Sequence, residues 1–159
     1  MSAKRELIDL ELVRILGTIR ISNGFKTDIK FTTRDGYGLF QIPEDNLPAI
    51  QVLSEFAPER PVFINFGAMR NKYQKTIYGY VRGHGSGVFD TNNRRWQSPT
   101  LVNNLAADIT QCIHAYPRLN ELCNDIQIVA QSQGDSLDND LGLVIFKVEI
   151  DYTDNVANL

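Results

Sequence analysis

The chain has 159 residues and a mass of 18.0 kDa, which suits one domain at the usual ~100–200 residues per domain and excludes a multidomain enzyme. With 43% hydrophobic and 22% charged residues, it has the composition of a globular domain able to bury a core without disulfides or metal, and not that of a disordered chain. A formal net charge of -3 argues against a general duplex-DNA binder, whose phosphate contacts call for a strongly basic face.

In chain order, the first element is read from Ile8, Leu12, Ile15, Leu16 and Ile19, which recur at steps of three and four among charged residues. This spacing predicts an amphipathic helix over residues 3 to about 19, with Ser2 as N-cap. The N-terminus lacks the apolar run of a signal peptide, and no stretch approaches ~18 uninterrupted apolar residues, so maturation in the cytoplasm without a membrane span is expected. Ile29, Phe31 and Thr33 alternate with polar residues, and Asp35-Gly36 suits a tight hairpin turn, which predicts a strand and a short return strand to Ile42.

Pro43 and Pro48 bracket a polar connection ahead of the apolar run of residues 49–53, expected as a short buried strand, and Pro58 and Pro61 mark another connection. Residues 73–82 predict a longer strand suited to a sheet centre, with Tyr78 and Tyr80 on one face and Ile77, Gly79 and Val81 on the other. Gly83, Gly85 and Gly87 end it, and residues 90–97 read as an exposed loop.

Ser98-Pro99 places a capping hydroxyl before a proline at the first helical position, and Leu101, Leu105, Ile109, Cys112 and Ile113 form one stripe of a helix that Pro117 stops near Ala115. A strand around residues 126–131 leads into an acidic loop, residues 134–140. The closing strand, residues 141–153, places Val144, Phe146, Val148, Ile150 and Tyr152 on a core face and Lys147, Glu149 and Asp151 on a wet one. The expected fold is α+β, a mainly antiparallel or mixed sheet with two amphipathic helices packed on one face. Residues 1–154 form the expected single domain, and residues 155–159 a flexible tail.

Candidate chemistry is sparse. Cys112 and Cys123 lie too far apart for a CxxC pair, and His84 and His114 are the only histidines, so neither a metal site nor a histidine triad is expected. Gly83-His84-Gly85-Ser86-Gly87 offers a hydroxyl and an imidazole among glycines. It lacks the helix start and Lys-Ser/Thr of a phosphate loop and the flanking glycines of a nucleophile elbow, so it reads as a hairpin tip. Asp135, Asp138, Asp140 and Glu149 lack the turn glycine of a calcium loop and read as a solvated acidic loop. No catalytic, cofactor or metal-binding residue is assigned.

Charge is unevenly spread. Residues 1–60 carry 8 Lys+Arg against 9 Asp+Glu, residues 61–100 carry 6 against 1, and residues 101–159 carry 2 against 9. Such blocks suit complementary binding to a second copy or a charged partner, or simply a solvated surface. The candidate protein interface comprises Arg70, Lys72, Lys75, Arg82, Arg94, Arg95 and Trp96 on the basic side and Asp135, Asp138 and Asp140 on the acidic side. Tyr78, Tyr80 and Trp96 between the cations allow a second reading as a single-stranded nucleic-acid platform. A third reading is a small hydrolase or phosphate-binding enzyme that uses His84 and Ser86.

The order of these pieces resembles the tail terminator proteins of long-tailed bacteriophages. The resemblance rests on the N-terminal helix, Leu47-Pro48-Ala49-Ile50-Gln51-Val52, a strand over residues 75–81, Leu105-Ala106-Ala107-Asp108-Ile109, Ala115-Tyr116-Pro117-Arg118-Leu119, a strand over residues 125–129, an acidic loop and the closing Glu149-Ile150-Asp151-Tyr152. It spans residues 6–152, and the Tyr- and Gly-rich stretch 73–87 departs most from the pattern. It implies a virion protein without an active site, a ring usually of six copies that caps the tail tube, stops its polymerisation and docks the capsid neck, with passive DNA passage through the ring. The implied partners are other copies, the tube protein and the neck connector, with no membrane and no small-molecule substrate. Neighbouring neck or tail-completion proteins are built on similar folds and are the alternative within this class.

Overall fold

The computed structural model describes residues 3–34, 42–54, 62–65, 67–82, 98–136 and 141–155. Helix α1 (Lys4–Leu16) buries Ile8, Leu12, Ile15 and Leu16, the stripe expected from its spacing. Its N-cap is Ala3, which makes no side-chain capping bond; the expected cap, Ser2, lies outside the described residues. The helix stops three residues earlier than its apolar pattern does. Beyond Leu16 the backbone tightens, with Thr18 N–H donating to Ile15 O at 3.0 Å and Ile19 N–H to Leu16 O at 3.3 Å, and Thr18 Oγ1 competes for the Ile15 carbonyl at 2.6 Å. Ile19 stays fully buried all the same.

Strand β1 (Phe31–Thr33) pairs in parallel with β2 (Ala49–Ser54). The turn at Asp35-Gly36 and most of the return strand expected before Ile42 lie outside the described residues. A four-residue strand, β3 (Val62–Asn65), was not anticipated and pairs antiparallel with the start of β4 (Ala68–Arg82). Gly67, at φ 83, supplies the left-handed backbone just ahead of β4. Helix α2 spans Ser98–Ala115, ending where expected and starting at Ser98, one residue before the expected first helical position, Pro99. It is followed by β5 (Asp125–Ser136) and β6 (Leu141–Asn155).

The sheet order is β1-β2-β4-β6-β5, with β3 against β4 off this path. Every pairing is antiparallel except β1 with β2, so the fold is α+β with a mixed sheet. The strand of residues 73–82, expected at the centre, is central and longer than expected: β4 runs alongside β6 from Ala68↔Asn155 to Arg82↔Leu141.

Both helices pack on one face of the sheet. Ile8, Leu12 and Ile15 of α1, Leu105, Ile109 and Ile113 of α2, and Ile77, Phe146, Val148 and Ile150 of the sheet share one buried cluster. The approach of α2 to β4 is close at Gly79, where an added Cβ would lie 2.7 Å from Leu105 Cδ2. The Asp108 carboxylate on α2 is buried and accepts the Lys26 N–H at 3.0 and 3.1 Å, which ties the segment after α1 to the second helix.

The opposite face is not uniformly wet. Ile42, Ala49 and Tyr80 form a smaller buried cluster there, with Phe31, Leu47, Tyr78 and Leu143 against it. Beyond this cluster, towards β5, that face carries exposed Lys72 and Lys147 and half-buried Glu149, whereas Asp151, expected on a wet face, is 6% exposed because Arg70 covers it. Among the described residues no helix is long and apolar enough to cross a membrane.

Candidate functional site

Strand parity sorts the cations of β4. Tyr73, Lys75, Ile77 and Gly79 alternate onto the helix-covered face, while Arg70, Lys72, Tyr78, Tyr80 and Arg82 face the other way. Lys75 is therefore not a surface cation as the interface assignment expected. Its side chain is 5% exposed, and Nζ lies 2.9 Å from Asp9 Oδ2 on α1 and donates to Ser54 Oγ at 2.6 Å. The burial follows from parity, because a side chain on this face of β4 emerges beneath α1.

Around this pair the cluster is polar and closely satisfied. Tyr73 OH donates to Asp9 Oδ1 at 3.1 Å, and burial, then the Asp9 charge, push the phenol well above its ordinary pKa. The Tyr152 ring meets Tyr73 edge-on at 5.6 Å between centroids, and the Arg5 guanidinium lies 4.3 Å from the Tyr73 ring centre. Lys75 and Ser54 bear an outward likeness to a nucleophile and its base. A base must accept the serine proton, whereas Lys75 donates to both neighbours, so the geometry is that of a structural ammonium.

On the open face, Arg70 and Lys72 do lie at the surface, but each already has a carboxylate on β6. Arg70 is 49% exposed and its Nε donates to both Asp151 oxygens at 2.9 and 3.0 Å, with Nη2 closing a second, short bond to Oδ2. These bonds hold Asp151 below the ordinary carboxylate range, helped by a bond from Asn124 Nδ2 at 3.2 Å. Lys72 Nζ is 3.8 Å from Glu149 Oε1, a looser diagonal pair across the β4–β6 ladder. Arg82 is half-buried at the far end of β4.

Arg94, Arg95, Trp96, Asp138 and Asp140 lie outside the described residues, as do His84 and Ser86. Asp135 is placed only by its backbone, in β5 opposite Gly142. The stretch expected as a loop from residue 134 is thus strand as far as Ser136. For the nucleic-acid reading, Tyr80 is only 6% exposed and its OH donates to buried Gln51 Oε1 at 3.1 Å. Tyr78 stacks parallel to it at 6.5 Å. Tyr80 is thereby committed to packing, which leaves half-buried Tyr78 as the ring nearest the surface.

The two cysteines are buried and free. Burial pushes each thiol up to about 11, so both are poor nucleophiles at neutral pH. Among the described residues no group of three or more His, Cys, Asp or Glu is placed to hold a metal ion.

The sheet edges are the second candidate surface, and residue patterns alone did not reveal them. β1 is three residues long, and the segment leading into it is tied to the chain after α1: Ile29 N–H donates to Ile19 O at 2.9 Å and Ile21 N–H to Asp28 Oδ1 at 2.7 Å. β5, at the other edge, has twelve residues. Its residues 129–134 are all exposed, and since successive residues face opposite sides, neither helix covers this half of the strand. The one signal that pointed this way was the run of Gln and Ser after Ala130 where a buried strand would carry apolar residues.

Comparison with known proteins finds no matching protein-family model and no curated protein similar to the chain.

Proposed function

We propose that this chain is a structural protein of the bacteriophage tail, a terminator that assembles into a ring, usually of six copies, on the end of the tail tube, stops tube growth and docks the neck. The observation that carries the reading is the exposed half of β5, residues 129–134, which among the described residues has β6 as its only strand partner. A long edge strand without a helix over either face is costly to leave in solution, because its backbone groups invite pairing with another chain. Ring closure needs two different patches that meet head to tail, and β5 and the opposite edge of this sheet differ in length, cover and charge.

The reading also agrees with the resemblance in the order of its pieces and with the α+β fold. Stopping a polymer is a binding act, in which one side of the ring mates with the tube and the other lacks the surface for a further tube subunit. The cations proposed for the contacts are now Arg70, Lys72, Arg82, Arg94 and Arg95, since Lys75 is spent inside the domain; Asp135, Asp138 and Asp140 are the proposed acidic counterpart.

The test is polymerisation of the tube protein with and without this chain, followed by electron microscopy. Tubes capped by a ring and shortened in its presence are expected, and Arg94→Glu with Arg95→Glu should weaken capping. Uncapped tubes of unchanged length, with the chain bound only to a neck connector, would move it to the neighbouring class of neck proteins. Loss of capping on replacing both His84 and Ser86 by alanine would instead implicate the glycine-rich segment.

A further inference from the structure

The connection from α1 to β1 carries chemistry that the proposed function does not use. Asn23-Gly24 is the one asparagine-glycine pair in the chain, and it closes a short 3-10 helix, Ile21–Asn23. Gly24 takes φ 91, a left-handed position that suits glycine. Residues 20–24 are all exposed, with Ile21 at 59%, so little packing resists opening of this turn.

Hydrogen bonds hold it instead. Asn23 N–H donates to Arg20 O at 2.9 Å, Gly24 N–H to Ile21 O at 3.0 Å and Phe25 N–H to Arg20 O at 3.2 Å. The Asn23 side-chain amide donates to Thr18 O at 2.9 Å, and Asp28 Oδ1 accepts the Ile21 N–H at 2.7 Å.

Two of these bonds restrain a pair of groups that can react with each other. The backbone nitrogen that follows an asparagine can close a five-membered ring on its side-chain carbonyl carbon, and a glycine nitrogen, with no Cβ beside it, is the least hindered. In the closed turn the Gly24 nitrogen is engaged with Ile21 O, and the amide that would leave is engaged with Thr18 O.

We infer that Asn23 is a site of spontaneous deamidation and that the 21–24 turn gates the reaction. When the turn opens, the Gly24 nitrogen, having given its proton to solvent base, bonds to Asn23 Cγ. The Cγ–Nδ2 bond breaks and ammonia leaves. The succinimide so formed takes up one water and reopens at either carbonyl, to aspartate or to isoaspartate; nothing is oxidised or reduced. Either product puts a carboxylate where the amide donated to Thr18 O, setting acceptor against acceptor, and isoaspartate also adds a methylene to the backbone of the turn. The modified chain loses ties between α1 and β1, whatever the protein binds.

The test incubates the full chain in mildly alkaline buffer, native and in urea, and follows by mass spectrometry the tryptic peptide of residues 21–26, bounded by Arg20 and Lys26. Conversion of its amide to acid is expected in both, slower in the native chain by roughly tenfold, equivalent to ~1.4 kcal/mol of opening free energy. Asp28→Ala, which removes the carboxylate bound to Ile21 N–H, should speed the native reaction and leave the rate in urea unchanged. Asn23→Asp should lower the melting temperature. A native peptide that stays an amide while the urea sample converts fully would overturn the inference. Equal rates in the two, or a native rate unmoved by Asp28→Ala, would show that this turn gates nothing and would overturn it as well.

Discussion

Lys75 and Arg70 lie five residues apart on β4, and each is held by an aspartate, yet they occupy different worlds. Lys75 sits on the face beneath α1, 5% exposed, with Asp9 13% exposed. Arg70 stands on the open face, 49% exposed, against Asp151. In the first pair both charges have left water, so removing one partner strands the other in a low-dielectric site. In the second, solvent already solvates much of the guanidinium, while the Asp151 side chain, only 9% exposed, keeps a further bond from Asn124. The difference shows that a cation's residue type says little about whether it is structure or surface; its parity on the strand decides.

The strongest way to break this contrast is Lys75→Ala, which should destabilise the domain by about 3–5 kcal/mol in urea unfolding, because the Asp9 carboxylate loses its ammonium. Asp9→Leu with Lys75→Met should recover most of that loss. If the single change cost no more than Arg70→Ala, the two faces would be energetically alike. Next in size is Gly79→Val on the covered face. Its branches would meet Leu105 and Ile109, and overpacking of this kind costs about 1–3 kcal/mol, read as a lower melting temperature.

The smallest effect belongs to the open face. Arg70→Ala should cost less than Lys75→Ala at neutral pH, because Asn124 still donates to Asp151, and less again in high salt. Its pH dependence gives the sign. Arg70 lowers the Asp151 pKa in the folded state, so the pair's contribution is present above the ordinary aspartate value of about 3.9 and is lost as pH falls through the lower folded value. Unfolding curves of the wild type and Arg70→Ala should therefore differ at pH 7 and converge in acid. Curves that stay apart at low pH would mean that Arg70 acts through packing of its stem.

Local pattern sufficed where a residue's fate depends on its near neighbours in sequence. Ser98-Pro99 and the stripe through Leu105 and Ile109 mark α2, and the alternation from Val144 to Tyr152 marks the two faces of β6. The same alternation placed Tyr78 and Tyr80 opposite Ile77 and Gly79. It separates Lys75 from Arg70 by parity but does not say which of the two faces lies beneath α1, because that depends on a helix distant in sequence. β3 escaped notice because Val62-Phe63-Ile64, between Pro61 and Gly67, is too short a run to distinguish from a buried connection.

What the sequence determined by itself is the α+β class, the two core-facing helix stripes, the central place of the long tyrosine-bearing strand and the uneven distribution of charge along the chain. Only the tertiary structure decided that Asp9, sixty-six positions before Lys75, would take its charge, that Asp151 would take Arg70's, and that β5 would be the last strand of the sheet among the described residues. The physical reason is that periodicity reports the direction in which a side chain leaves its own backbone, whereas pairing and cover depend on which distant segment arrives there. That is set by burying the whole apolar surface at once.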